Sequence, residues 1–243
     1  MGIAEINKCE ISYEIVKKYN NNNKFGVAPI QFSSDDNLYV EQLLVMKDTV
    51  LDFYFSDING TNFDNFIGCR LLTDKNECTN KFKFLIEYAI KSVIEPLGFY
   101  DAFVELIVEN KVVRNNADSE WHTDGNEVIR KCLSGKIPKD LCGKASDQRF
   151  VVPLIGNGTM IYGEVISDIE QADNWDRVIE DKDGIDSFDR KNIVIPHYGQ
   201  IGYFFLDNNL KEGMFHRAPD LQGDRILLSI TPIDIELKDL VEM

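Results

Sequence analysis

The chain has 243 residues, long enough for one large domain or two small ones whose core is self-sufficient. Its five cysteines (Cys9, Cys69, Cys78, Cys132, Cys142) are odd in number and scattered, which argues against a disulfide framework and suits a reducing cytoplasm. With 41 acidic side chains against 26 basic ones the net charge is −15, a surface that disfavours nucleic acid short of a flipped base, and no stretch has the length and apolarity needed to cross a bilayer.

In chain order, the N-terminus lacks a basic segment followed by a long apolar run, so no leader is expected. Asn20 to Lys24 reads as a polar loop and Val27 to Phe32 as a short extended stretch. From Glu41 to Phe55 the branched and aromatic residues predict one or two strands, closed by the turn residues Asp57 to Gly60. Phe82, Leu85, Ile86, Ala89, Ile90 and Val93 recur at intervals of three and four, predicting a helix over Lys81 to Glu95 with one apolar face. Pro96-Leu97-Gly98 then ends it.

Beyond that helix the pattern is β. Strands are predicted over Ala102 to Val113, Arg149 to Ile155, Thr159 to Ile166, Lys191 to Ile195, Gly202 to Leu206 and Arg225 to Ile233. Short strands without intervening long helices argue for a sandwich or closed barrel rather than a parallel sheet. Two long connections interrupt them: residues 126 to 148, with Lys131, Lys136, Lys139 and Lys144, and residues 164 to 190, with ten acids against three bases. Each is either a functional lid or a solvated excursion.

Three residues carry the chemistry. His122 and Asp124 stand two apart, so an extended segment points both side chains the same way, and His216 follows in another strand-like piece, Gly213 to Arg217. Two imidazoles and one carboxylate can hold iron(II) on one face of an octahedron and leave three positions open. Ala218 to Asp224 reads as a turn. If the flanking strands pair about residues 220 and 221, Arg225 falls across from His216, roughly 5 Å away. An arginine there can grip the far carboxylate of a dicarboxylate in bidentate fashion. His197 reads as a loop or packing residue, while Trp121 and Phe215 read as packing that fixes the neighbouring ligand's rotamer.

The order His122-x-Asp124, His216, Arg225 resembles the iron(II)/2-oxoglutarate-dependent dioxygenase superfamily. So does Pro196 to Phe205, a proline and glycine turn followed by an apolar strand. The resemblance implies a mainly β chain with supporting helices. Its core would be a double-stranded β-helix, or jelly roll, over residues 101–243, with an α/β extension over 1–100 packed on it. It implies Fe(II) held by His122, Asp124 and His216, with 2-oxoglutarate as co-substrate, its distal carboxylate on Arg225. Thr159 and Tyr162, on a strand able to line the pocket, are further candidates for the co-substrate. The family's frequent Arg-x-Ser is absent: Leu227 stands at the hydroxyl position, and Ser229, on the same face, is the candidate in its place.

By the same resemblance an unactivated C–H is hydroxylated, desaturated or cyclised, with succinate and carbon dioxide as co-products. An intact Asp124 favours these outcomes over halogenation, which in related enzymes needs that coordination position left open. The expected substrate is a small molecule, amino acid or peptide, and the acidic residues of 164–190 suit a cationic one. Two alternatives stand beside this: a metal-dependent hydrolase or lyase using the same three ligands, and a non-catalytic jelly-roll binding module. Arg225 fits the oxygenase better than the hydrolase or lyase.

Overall fold

The computed structural model describes residues 25–32, 49–56, 77–109, 148–165, 193–205, 214–219 and 223–233. They form nine strands and one long helix: β1 (Phe25–Pro29), β2 (Thr49–Ser56), α1 (Glu77–Ile94), β3 (Asp101–Glu109), β4 (Gln148–Ile155), β5 (Met160–Val165), β6 (Ile193–Val194), β7 (Gln200–Phe205), β8 (Met214–Arg217) and β9 (Arg225–Ile233). Every predicted element from residue 81 onward that falls on these residues is present as the predicted type. The boundaries shift by a few residues, as expected where only pattern marks an end.

The helix starts earlier than its apolar periodicity suggests and stops where proline and glycine dictate. Pro96 lies in a short 3-10 turn, Glu95–Leu97, and Gly98 takes a left-handed φ of 79° while its N–H caps the Glu95 carbonyl at 3.0 Å. Leu85, Ile86, Ala89, Ile90, Val93 and Ile94 are buried on one face, and Phe84 is exposed on another. That stripe packs on a six-stranded antiparallel sheet of order β1-β7-β4-β9-β3-β2, where it meets Val104, Leu106, Phe150, Val152, Ile226, Leu228 and Ile230. Fully burying a side chain of this size contributes roughly 1.5–3 kcal/mol, so the helix holds mainly through this face.

On its other side the large sheet faces a three-stranded antiparallel sheet of order β6-β5-β8. The period of two sends Val151, Phe204 and Leu227 away from the helix, and they form a second apolar cluster with Ile161 and Met214 of the small sheet. The layers are therefore helix, large sheet, small sheet. All nine residues of β9 are buried, because helix and second sheet cover its two faces while β3 and β4 flank its edges.

The order of pairing identifies a jelly roll. Strand β4 pairs with β7 in the large sheet and β5 with β6 in the small one, so β4–β5 and β6–β7 run side by side as one ribbon bent across both sheets. Strands β8 and β9 lie along the same ribbon, β8 on β5 and β9 on β4, and β3 adds beside β9. From β6 onward the chain changes sheet at every connection, which is how a double-sheet jelly roll winds. Strands β1 and β2 extend the large sheet at its two ends, on β7 and β3 respectively. No helix among the described residues is long and apolar enough to cross a membrane.

Candidate active site

The space between the two sheets holds the predicted residues that the structure describes. His216, in β8, pairs with Ile161 of β5 and is 4% exposed. Its ring lies on that of Phe204 from the opposite sheet, with centroids 4.4 Å apart. Nδ1 sits 3.1 Å from the Met214 carbonyl oxygen. A carbonyl only accepts, so Nδ1 is the donor here, and in the neutral imidazole that leaves Nε2 as the nitrogen able to take a metal. That tautomer, with a backbone carbonyl fixing the ring, is how metal-ligating histidines are commonly held, so the residue fits a ligand's role.

Arg225 opens β9 and is 3% exposed. Its Nη1 donates to Glu109 Oε2 at 2.8 Å, its Nη2 to Thr159 Oγ1 at 3.3 Å, and its Nε to the Asn157 carbonyl at 3.1 Å. The predicted hairpin between His216 and Arg225 does not exist. Strand β8 pairs with β5 in the small sheet, whereas β9 lies between β3 and β4 in the large one, so the cross-strand neighbour of Arg225 is Glu109 and not His216. The segment from Ala218 to Asp224 joins two sheets instead of turning back within one. Both edges of β9 already carry ladder partners, which leaves no edge for β8.

The two residues are nevertheless brought toward each other, by another route. Thr159, which touches Arg225, stands two residues before Ile161, which pairs with His216. Two extended residues span about 6.6 Å. Arg225 shares the face of Leu227, directed between the sheets, and His216 enters that space from the other side.

The loop that presents Thr159 is tightly held. Gly156 takes a φ of 72°, which side chains disfavour, and the Gly158 N–H donates to the Pro196 carbonyl at 2.8 Å. A Cβ on Gly158 would lie 2.6 Å from Pro196 Cγ and 2.9 Å from Pro153 Cγ. His197 is on the exposed turn predicted for it, where its Nδ1 meets Asn157 Oδ1 at 2.8 Å and its N–H donates to Gln200 Oε1. The histidine thus braces the residue whose carbonyl receives the Arg225 Nε.

Ser229 shares the Arg225 face but lies four residues further along β9, about 13 Å at strand spacing. It donates to Glu105 Oε2 at 2.8 Å, and Arg149 approaches the same oxygen at 3.8 Å. Ser229 therefore belongs to a separate polar group. Tyr162 pairs through its backbone with Ile193, and its side chain lies outside the described residues, as does that of Phe215. His122, Asp124 and Trp121 also lie outside them. Among the described residues no group of three or more His, Cys, Asp or Glu is placed to hold a metal ion.

Glu109 and Asn157 went unnoticed in the sequence. The period of two puts Glu105, Ile107 and Glu109 on one face of an otherwise apolar strand, which signals buried carboxylates without naming their partners.

No protein-family model matches this sequence, and no curated protein matches it significantly. Among solved structures, a prolyl hydroxylase from Trichoplax adhaerens, in complex with a hypoxia inducible factor peptide fragment, is 9% identical. That match covers 96% of this chain and 93% of the other, with a TM-score of 0.42. A Pseudomonas putida prolyl-4-hydroxylase is 9% identical over 92% of this chain and 98% of its own, at a TM-score of 0.39. A rice dioxygenase for auxin oxidation is 9% identical over 93% and 79%, at 0.47. With scores below 0.5, none of these superpositions assigns a role to a residue here.

Proposed function

We propose that this protein is an iron(II)- and 2-oxoglutarate-dependent oxygenase acting on a C–H bond of a small molecule, amino acid or peptide in the cytoplasm. The observation that carries this reading is the convergence of His216 and Arg225. A buried histidine whose Nδ1 is held by a backbone carbonyl and a buried guanidinium enter the same space from opposite sheets, linked through Thr159 and Ile161. Arg225 fits this reading better than a metal-dependent hydrolase, because a co-substrate with a carboxylate at each end needs a metal at one end and a cation at the other.

In this reading His122 and Asp124 complete the metal's protein ligands with His216, through the His-x-Asp spacing that sends both side chains one way. When bound, the iron and 2-oxoglutarate supply the oxidising chemistry, with dioxygen as the oxidant and succinate and carbon dioxide as co-products. Met214 holds the His216 ring through its carbonyl, and Phe204 covers the imidazole face and keeps water off it. Arg225 takes the distal carboxylate, and the Thr159 hydroxyl orients the guanidinium that receives it.

The test is anaerobic titration of the ferrous protein with 2-oxoglutarate. A visible charge-transfer band is expected on addition, and succinate is expected on admitting air with a substrate. Absence of both the band and succinate removes the reading.

A further inference from the structure

The Glu109 carboxylate already sits where the reading above puts the distal carboxylate of 2-oxoglutarate. It lies 2.8 Å from Arg225 Nη1, and the two side chains are 9% and 4% exposed. A guanidinium stays charged at any ordinary pH and offers five N–H groups. At least three are committed, to Asn157, Glu109 and Thr159. A second carboxylate on the same guanidinium adds a net negative charge to a buried site, which is costly where water cannot screen it. The glutamate and a dicarboxylate ligand are therefore in competition.

Resting on the oxygenase reading, we propose that Glu109 is a specificity-determining residue that competes with the co-substrate's distal carboxylate for Arg225. It holds the guanidinium between the sheets, and it yields when a dicarboxylate arrives. The apparent affinity for 2-oxoglutarate is then the intrinsic affinity reduced by the fraction of time Glu109 occupies Arg225. The chemistry selects for a distal group that out-competes a glutamate, namely another carboxylate able to use both ends of the guanidinium fork. A 2-oxo monocarboxylate with the same near end never meets Glu109.

The measurement is anaerobic calorimetric titration of the ferrous protein with 2-oxoglutarate and with 2-oxopentanoate, which lacks the distal carboxylate. Native protein is expected to prefer 2-oxoglutarate, and Arg225→Ala to lose that preference. Glu109→Gln is expected to tighten 2-oxoglutarate roughly tenfold or more while leaving 2-oxopentanoate unchanged. Glu109→Asp keeps the charge that Arg225 requires but draws the carboxylate back by one methylene, so it folds as the native chain does and tightens 2-oxoglutarate to a smaller degree. If Glu109→Gln does not fold, Glu109→Asp decides. Unchanged or weakened 2-oxoglutarate binding in the folded variants, with the Arg225-dependent preference intact, overturns the competition and spares the oxygenase reading. Equal binding of the two acids both by native protein and by folded Glu109→Gln removes both.

Discussion

Phe204 and His216 come from different sheets and lie ring on ring, with centroids 4.4 Å apart and planes inclined by 35°. The apolar cluster between the sheets therefore ends on the imidazole, and core packing and the orientation of the proposed ligand share one contact. Phe204→Ala should cost about 3–5 kcal/mol of stability. It should also weaken ferrous binding by about tenfold or more, because the ring that holds the imidazole is gone. Denaturant unfolding and anaerobic metal titration on the same variant check both. A loss of stability with unchanged metal affinity would separate the packing from the ligand.

The three histidines should behave differently. His216→Ala and His122→Ala should abolish ferrous binding, and so should Asp124→Ala. His197→Ala should retain it, since His197 is exposed and spends its Nδ1 on Asn157. Equilibrium dialysis under nitrogen reads this directly. Metal retained by His216→Ala would mean that the tautomer fixed by the Met214 carbonyl serves packing alone.

What was legible in the sequence followed from local rules. Proline and glycine after an amphipathic run marked the end of α1, and apolar runs marked β3, β4, β7 and β9. The His-x-Asp spacing of His122 and Asp124 is a local signal of the same kind, and both residues lie outside the described ones. The pairing of β8 was not legible, since pairing depends on which strand edges remain open, and that is decided by strands far away in sequence. Strand β9 carried a clue: Ile226, Leu227 and Leu228 run without polar alternation, as in a strand covered on both faces. A central strand of that kind pairs on both sides within its own sheet and takes no hairpin partner from the other. The Arg225 partners stayed hidden for the same reason, as Glu109 and Thr159 lie 116 and 66 residues away.

Gly158 offers a test of how the site is held from behind. A Cβ there would press on two proline rings and on the Pro196 carbonyl oxygen, none of which can swing aside as a flexible side chain would. Gly158→Ala should therefore move the loop, at about 1–3 kcal/mol. Thr159 is the next residue, so the same shift should draw its hydroxyl from Arg225. Affinity for 2-oxoglutarate should fall while ferrous affinity stays near native, and parallel titrations distinguish the two. Equal losses in both would show that the loop supports the whole site.

The Arg225–Glu109 pair makes a stability prediction that does not depend on any ligand. Two charges buried this deeply give up hydration, and their attraction and added hydrogen bonds roughly offset that loss. Removing one partner is different, because it leaves the other charge buried with its main counter-ion gone. Arg225→Ala should cost about 3–5 kcal/mol in urea unfolding. The double variant Glu109→Leu with Arg225→Met keeps apolar volume and removes both charges, so it should be close to native stability or above it. With Glu109→Leu and Arg225→Met as the single variants, the cycle should give a large coupling energy, as expected for residues in direct contact. The double variant should also lose its preference for 2-oxoglutarate over 2-oxopentanoate. A stable, folded double variant that still discriminates would place the distal carboxylate on some other cation, for which Arg149, beside Glu105 on the same face of the sheet, is the next to substitute.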